Sequence, residues 1–222
     1  MIFIGREWGK NVTRKRSTSV DIIKSINSGA PETGASDHTI VPYRPRNYWK
    51  GDVRFKNGWV EKDYGSSPSL ARLYGRISLH WEETALKRLR GIEGVPEYLG
   101  RPTRNSISMT RVPGIPIDKL KGGEISELFL QHLQALVHQI HSRGVAHGDL
   151  HMRNILAHED RAYIIDFSTA YTLGRIPILD RGFFRIFRLL DLERIYKVER
   201  RFFGRGTPPE MFYIYRLVKG KI

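Results

Sequence analysis

The sequence predicts an α+β fold in which a small β-rich part is followed by a mainly helical part. Short apolar segments at 52–55 and 59–62 flank Asn57-Gly58, the strongest short signal for a tight hairpin. Apolar residues spaced three or four apart predict helices over 80–90 and 124–143. Two further apolar runs, 155–157 and 162–165, surround a polar turn and predict a second hairpin.

The ends of these elements are marked by glycine and proline. Gly91 and Pro96 end the first predicted helix, and Gly144 ends the second. A strand is expected over 106–111, closed by Pro113 and Gly114. We expect three regions, which are a poorly ordered basic arm (1–45), a β-rich N-terminal lobe (46–110) and a helical C-terminal lobe (111–222).

Charge and cysteine content limit the classes of function. The 222-residue chain has a formal net charge of +14, which attracts nucleotide phosphates, nucleic acid or an anionic membrane face. The absence of cysteine excludes disulfides, thiol catalysis and thiolate metal sites. No apolar run reaches the roughly 18 residues that cross a bilayer, and charge interrupts the first residues too soon for a secretory signal. We expect a soluble, cytoplasmic protein.

The densest group of reactive residues lies between His147 and Asn154. Asp149 and Asn154 stand on one predicted loop, and Asp166 follows an apolar strand. Phosphoryl transfer needs hard oxygen ligands for Mg²⁺ and an oriented acceptor hydroxyl. Asn154 and Asp166 offer an amide oxygen and a carboxylate for the metal, and Asp149 can accept the hydroxyl proton.

The sequence His147-Gly148-Asp149-Leu150, with Asn154 and then Asp166-Phe167, resembles the catalytic and metal-binding loops of the protein-kinase-like superfamily. The Gly148 and His151 variant is similar to RIO kinases, aminoglycoside and choline phosphotransferases, and bacterial lipopolysaccharide core kinases. The resemblance implies a two-lobed fold, ATP and Mg²⁺ as cofactors, and Asp149 as the residue that orients or deprotonates the acceptor. It implies a packing role for His147, whereas His151 and Arg153 stand close enough to reach the γ-phosphate or the substrate.

The same family uses a strand lysine and a helix glutamate to hold the nucleotide phosphates. Lys62, on the second strand of the first hairpin, matches the lysine. Glu82 matches the glutamate, with Glu83 as a competitor at the start of the same predicted helix. The resemblance places the adenine against the strand and hinge that include Met109, Thr110, Arg111 and Val112.

Three features depart from the family pattern. No glycine-rich loop precedes Lys62, and Gly51 is the candidate for a residue that covers the phosphates. Ser168 stands where a glycine commonly follows Asp166-Phe167, which argues against a flexible activation switch. The short stretch after Asp166 predicts a truncated C-terminal lobe without a standard peptide platform.

The last quarter of the chain is strongly basic. Residues 171–222 hold nine Arg and three Lys against two Asp and three Glu, interleaved with apolar residues that predict one or two amphipathic helices. Either the apolar face packs under the catalytic loop and the arginines are merely solvated, or the segment faces an anionic membrane leaflet or phosphorylated glycolipid. The second interpretation places the protein at the inner face of the membrane. Nucleic acid is a less favoured partner because no aromatic RNA-binding signature is present.

These patterns predict an ATP- and Mg²⁺-dependent phosphotransferase that acts on a hydroxyl group of a protein Ser/Thr or a lipopolysaccharide sugar. A small-molecule phosphotransferase is an alternative. A pseudokinase that binds nucleotide or a partner is another, which the missing glycine-rich loop favours. A basic nucleic-acid-binding protein with kinase-like residues by coincidence is the third.

Overall fold

The computed structural model of the protein describes residues 51–176 and 178–206. The predicted basic arm lies outside the described residues, as do residues 207–222 of the predicted basic tail. The described residues contain three α-helices, two short 3₁₀ helices and nine short strands. The predicted α+β fold class is therefore confirmed.

The first sheet has four antiparallel strands. They are β1 (Asp52–Lys56), β2 (Trp59–Asp63), β3 (Tyr98–Gly100) and β4 (Ser106–Thr110), in the order β1-β2-β4-β3. The predicted hairpin at Asn57-Gly58 joins β1 to β2, and Gly58 adopts a φ of 78°, which a glycine takes without steric cost. The predicted strand over 106–111 corresponds to β4.

The register of this sheet decides which way its charged residues point. Lys62 pairs with Ile107 of β4, and Val60 pairs with Met109, so these four side chains share one face. Glu61 lies on the opposite face, where it forms an ion pair with Arg54. The sheet thus directs Lys62 towards the protein interior.

The first helix, α1 (Ser69–Arg88), begins much earlier than the predicted start at residue 80. Its N-terminal half buries small or polar side chains, so apolar periodicity does not mark that half. The buried residues of α1 are Ala71, Gly75, Ser78, Leu79, Glu82, Ala85 and Leu86. Large apolar residues of the same half are exposed, namely Leu70, Leu73, Tyr74 and Ile77.

Tyr64 fixes α1 against the sheet. Its ring is buried and lies against Gly75, where an added Cβ would stand 2.3 Å from Tyr64 Cγ. A Cβ on Gly51 would likewise stand 2.8 Å from the ring. The Tyr64 ring therefore accounts for the absence of a side chain at Gly51, and a role for Gly51 in covering the phosphates stays a prediction.

The remaining elements form the helical part. They are β5 (Ile115–Pro116), a 3₁₀ helix (Ile117–Lys119), α2 (Glu127–Ser142), β6 (Val145–Ala146), β7 (Ile155–His158), β8 (Arg161–Ile164), a 3₁₀ helix (Phe167–Thr169), β9 (Tyr171–Thr172) and α3 (Asp180–Phe203). β7 lies between β5 and β8 in an antiparallel sheet, and β6 pairs with β9. The predicted second hairpin is β7-β8.

One of these helices, α2, matches the sequence pattern closely. Ser126 caps α2 by accepting a hydrogen bond from the Phe129 amide at 3.1 Å, and Gly144 follows its end with a φ of 68°. In the basic tail, the described residues form one helix, α3, which ends at Gly204. None of the helices in the described ranges has the length and apolar content needed to cross a bilayer.

One apolar core joins the sheet to the helical part. Leu79 and Leu86 of α1, Met109 of β4, and Phe129 and Leu133 of α2 all belong to it. Ile164 and Phe167, which flank the end of β8, are fully buried in the same core. The predicted division between residues 110 and 111 stays a prediction.

We expect Gly75→Ala to lower the free energy of unfolding by about 1–3 kcal/mol, because the new methyl group must displace the buried Tyr64 ring. The measurement is urea denaturation. Gly182→Ala in α3 is the matched control, since no atom lies within 4 Å of its added Cβ, and we expect it to be stabilising by about 0.5–1 kcal/mol. Equal stability of the Gly75→Ala variant and the unsubstituted protein would contradict the Tyr64 packing.

Candidate active site

Lys62 binds two carboxylates that come from distant parts of the chain. Its Nζ lies 2.8 and 3.0 Å from the carboxylate oxygens of Glu82 on α1, and 2.9 Å from Asp166 Oδ1 after β8. Glu83 points elsewhere, towards Lys87 and Tyr98. The structure therefore pairs Lys62 with Glu82 and not with its neighbour.

The charges of this group support one another. The Lys62 ammonium holds the pKa of Asp166 well below its usual range. Burial works to lower the pKa of Lys62, but the carboxylates of Asp166 and Glu82 outweigh burial and raise it. Burial raises the pKa of Glu82, against the attraction of Lys62. Lys62 and Asp166 therefore stay charged at neutral pH.

Asp166 stands at a sharp bend where β8 meets the second 3₁₀ helix. Its φ of 66° lies in the left-handed region, which is uncommon for a residue other than glycine. Ser168 Oγ donates a hydrogen bond to Asp166 Oδ1 at 2.6 Å, so the residue that departs from the family pattern supports this carboxylate. The Asp166 side chain is 41% exposed, so a ligand can reach it.

Asp149 and Asn154 are held on one tightly turned loop. The His151 amide donates to the Asp149 carbonyl at 2.7 Å, and the Asn154 side-chain amide donates to the same carbonyl at 2.9 Å. The Asp149 carboxylate is 44% exposed, and its Oδ1 lies 2.7 Å from His151 Nε2. The loop therefore presents Asp149 to solvent while its backbone stays fixed.

The oxygens of Asn154 and Asp166 are brought to one edge of the β7-β8 hairpin. The Ile165 amide donates to the Asn154 carbonyl at 2.9 Å, so Asn154 lies opposite the residue before Asp166. The Asn154 side-chain nitrogen is used by the loop, which leaves its amide oxygen to face a ligand. This donor set suits Mg²⁺, which prefers oxygen and keeps other positions for phosphates and water. Among the described residues there is no cluster of three or more His, Asp or Glu that would bind a metal alone.

His147 supports this loop from inside. It is 1% exposed, its ring lies 4.8 Å from the Phe167 ring, and its Nε2 is 2.9 Å from the Ile165 carbonyl. Nδ1 accepts a hydrogen bond from the Asp149 amide at 3.3 Å, so Nε2 carries the proton. With both ring nitrogens occupied, His147 has a packing role, as the resemblance implies.

Asp191 of α3 is a positioning residue that the sequence analysis did not identify. Its carboxylate accepts hydrogen bonds from the backbone amides of His147 and Gly148 at 2.8 and 2.9 Å, and lies 2.9 Å from His141 Nε2. Asp191 is 1% exposed, so these contacts replace water entirely. The sequence signal that could have identified Asp191 is its position as an acidic residue within the apolar run Leu189-Leu190-Asp191-Leu192.

α3 also packs directly on the loop through aromatic side chains. An added Cβ on Gly148, whose φ is 76°, would lie 2.6 Å from the Phe187 ring. Phe184 is buried beside Tyr171 and Ala146. Arg181, Arg185 and Arg188 of the same helix are exposed. The interpretation in which the apolar face of the basic tail packs under the loop therefore holds for α3.

The predicted adenine-binding segment comprises the last two residues of β4 and the two residues that follow the strand. Met109 is buried in the core, where it pairs with Val60. The Thr110 amide donates to the Glu97 carbonyl and the Arg111 amide donates to the Gly58 carbonyl, each at 2.9 Å. Within the described ranges, the Val112 amide has no hydrogen-bond partner. Of these three amides, that of Val112 is the one available to a base edge.

Comparison with known proteins places the site in a family context. The sequence model described as the RIO domain matches residues 45–177, which include Lys62, Glu82, Asp149, Asn154 and Asp166. A solved structure of the Rio2 kinase ADP/Mg²⁺-phosphoaspartate complex from Chaetomium thermophilum is similar, with a TM-score of 0.55 and 18% identity over 82% of this chain and 60% of that chain. Another structure of that organism's Rio2 kinase gives a TM-score of 0.56 and 22% identity, over 75% of this chain and 59% of that one.

A short segment is also similar to a curated protein of another description. It is 40% identical over 65 residues to a probable bifunctional tRNA threonylcarbamoyladenosine biosynthesis protein from Methanosarcina barkeri. The match covers 29% of this chain and 11% of that protein, so this chain spans about a tenth of that relative. The predicted resemblance to RIO-type kinases and the kinase-like fold are confirmed, and the findings support a kinase-like phosphotransferase.

We expect Asp191→Ala to lower the free energy of unfolding by about 3–5 kcal/mol, because it leaves two buried backbone amides and His141 without their acceptor. Urea denaturation measures the loss. Glu193→Ala is the control, since among the described residues Glu193 bonds only to Arg194 and Lys197 of its own helix, and we expect it to cost about 1 kcal/mol. Equal losses in the two variants would show that Asp191 does not organise the loop.

Proposed function

The chain belongs to the RIO domain family, and on that basis we propose that it transfers the γ-phosphoryl group of ATP to a hydroxyl group in the presence of Mg²⁺. One observation carries the proposal, which is the Lys62 ammonium held between Glu82 and Asp166. Such a buried and oriented cation beside an accessible carboxylate is the arrangement that grips nucleotide phosphates next to a metal.

The nucleotide would lie along the interior face of the first sheet. Val53, Phe55 and Val60 share this face with Lys62 and are partly exposed, so they offer an apolar surface to the base. The Val112 amide would bind the base edge, and Met109 would pack behind it. Lys62 would bind the α- and β-phosphates, which takes over part of the role of the absent glycine-rich loop.

The oxygen ligands fit a hard cation. The Asn154 amide oxygen and the Asp166 carboxylate would hold Mg²⁺, and the ion, when bound, neutralises charge on the phosphates. Asp166 keeps its negative charge because Lys62 depresses its pKa. Asn154 keeps its orientation because its nitrogen is bonded to the Asp149 carbonyl.

Asp149 is the group that meets the acceptor. As the acceptor oxygen bonds to the γ-phosphorus, the bond from that phosphorus to the β-γ bridging oxygen breaks, and ADP leaves. The acceptor proton passes to the Asp149 carboxylate. His151 Nε2 lies 2.7 Å from Asp149 Oδ1 and so orients this carboxylate.

A protein Ser/Thr, a glycolipid sugar and a small molecule are the candidate acceptors. The curated relative is named for tRNA threonylcarbamoyladenosine biosynthesis, but this chain spans only about a tenth of that protein. RNA is therefore a ligand to be tested. Contact with an anionic membrane stays a prediction, which the exposed Arg181, Arg185 and Arg188 support. A cytoplasmic location also stays a prediction.

We expect ATP with Mg²⁺, at about a hundredfold excess over Kd, to stabilise the protein by about 2.7 kcal/mol and raise Tm by about 5–10 °C. Asp166→Asn should abolish the Mg²⁺-dependent part of this rise. Glu159→Gln removes one exposed carboxylate from the same β7-β8 hairpin and should keep the full rise. A wild-type protein with no rise would refute the nucleotide and metal site.

We expect Asp149→Asn to keep the rise in Tm with ATP and Mg²⁺ but to slow ADP formation by about a hundredfold or more, because the proton acceptor is lost. The loop should retain its structure, since Asn154 and His151 bond to the Asp149 carbonyl and not to its side chain alone. ADP formation by Glu159→Gln should match the wild type. A wild-type protein that binds ATP but forms no ADP, either with water alone or with a protein, glycolipid or small-molecule acceptor supplied, would instead be a pseudokinase.

A further inference from the structure

A cavity of about 240 Å³ lies between the catalytic loop and α3. Its walls include His151 and Arg153 from the loop, Asp118 from the 3₁₀ helix after β5, and three cations of α3, namely Arg194, Lys197 and Arg201. We call it the cationic cavity. None of the residues assigned to nucleotide or metal lines it, so it is separate from the Lys62 group.

The cations of this cavity are incompletely neutralised. Arg153 is exposed, and no contact to a carboxylate holds it within the described ranges. Within the part of the chain that the structure describes, Arg201 reaches only neutral acceptors, the Met152 sulfur at 3.2 Å and the Asp118 carbonyl at 3.4 Å. Asp118 forms no ion pair with them, and its Oδ1 is buried without a hydrogen-bond partner among the described residues. An anionic ligand would supply acceptors for Arg153 and Arg201. The Asp118 oxygen lacks a donor instead, which a hydroxyl group of the same ligand would supply.

The two remaining cations share one partner. Lys197 Nζ lies 2.5 Å and Arg194 Nε lies 3.8 Å from oxygens of Glu193. One carboxylate therefore serves two cations, while Arg153 and Arg201 have no carboxylate partner among residues 51–176 and 178–206. The cavity keeps a positive charge in a concave site, where the charge attracts an anion more strongly than it would on an open surface.

The cavity adjoins the group that takes the acceptor's proton. His151 lines it and also binds Asp149 Oδ1 at 2.7 Å. We propose that the cationic cavity binds a phosphate group of the acceptor substrate, so that the acceptor is itself a phosphorylated molecule. This inference rests on the proposed function, because it assigns the acceptor side of the same site.

The size of the cavity favours a compact ligand. At about 240 Å³ it is smaller than the roughly 300–1,000 Å³ that accommodate a drug-sized molecule. A single phosphorylated sugar unit suits this volume, whereas a nucleic-acid strand would follow an extended basic surface. The arginines that could form such a surface, Arg181 and Arg185, do not line the cavity.

The test uses glucose 6-phosphate as the probe and glucose as its neutral control, at constant ionic strength, with the full chain. We expect glucose 6-phosphate to raise Tm, both without nucleotide and on top of saturating ADP with Mg²⁺, and glucose to have no effect. Arg153→Gln/Lys197→Gln should abolish this rise. Both side chains are exposed, so the variant should fold. Arg181→Gln/Arg185→Gln removes the same charge from outside the cavity and should keep the rise.

Equal loss of the rise in both double variants would overturn the inference, because it would indicate diffuse charge. No rise with any phosphorylated probe would overturn it too. A third outcome is that single-stranded RNA binds, glucose 6-phosphate does not, and both double variants weaken RNA binding equally. This outcome would overturn the inference in favour of a nucleic-acid surface. The rise in Tm with glucose 6-phosphate is also measured without nucleotide. Failure of ATP to bind would therefore refute the proposed function and leave the test of the cationic cavity unaffected.

Discussion

The ion pairs of Lys62 are the interaction on which the architecture of the site depends. The lysine joins β2, α1 and the bend after β8, and its two carboxylate partners lie 20 and 104 residues further along the chain. Because Glu82 is buried, removing the lysine would leave a charge without a partner in the interior. The constraint also explains the packing of Tyr64 on Gly75, since α1 must approach the sheet closely for Glu82 to reach Lys62.

Three aspartates have the same carboxylate group but different surroundings, and their roles differ accordingly. Asp191 is enclosed, and backbone amides satisfy it, so it holds the loop in place. Asp166 is fixed in charge by Lys62 yet is open on one side to a cation. Asp149 is about as exposed as Asp166 but is bonded to a histidine, and in the proposed function it is the group that receives the acceptor proton. The roles follow from burial and partners, because the intrinsic chemistry of the three side chains is identical.

Elements specified by local signals were predictable from the sequence. The turn at Asn57-Gly58, the helix stop at Gly144 and the order of Asp149, Asn154 and Asp166 all depend on neighbours along the chain. The early start of α1 was missed because Tyr64, and not apolar spacing, determines which face of the helix is buried. Asp191 was missed because its partners are backbone amides more than forty residues away, which leave no mark on the local pattern.

The final helix, α3, both holds the catalytic loop in place and contributes side chains to the cationic cavity. One side of α3 carries Asp191 and Phe187 against the loop, and another side carries Arg194, Lys197 and Arg201 into the cationic cavity. Because the helix is one rigid element, the contacts that order the loop also fix the position of these cations relative to Asp149. The positive charge near the loop follows from that geometry. Among the described residues of α3, Arg194, Lys197 and Arg201 line the cationic cavity beside the loop, whereas Arg181 and Arg185 are exposed and do not line it.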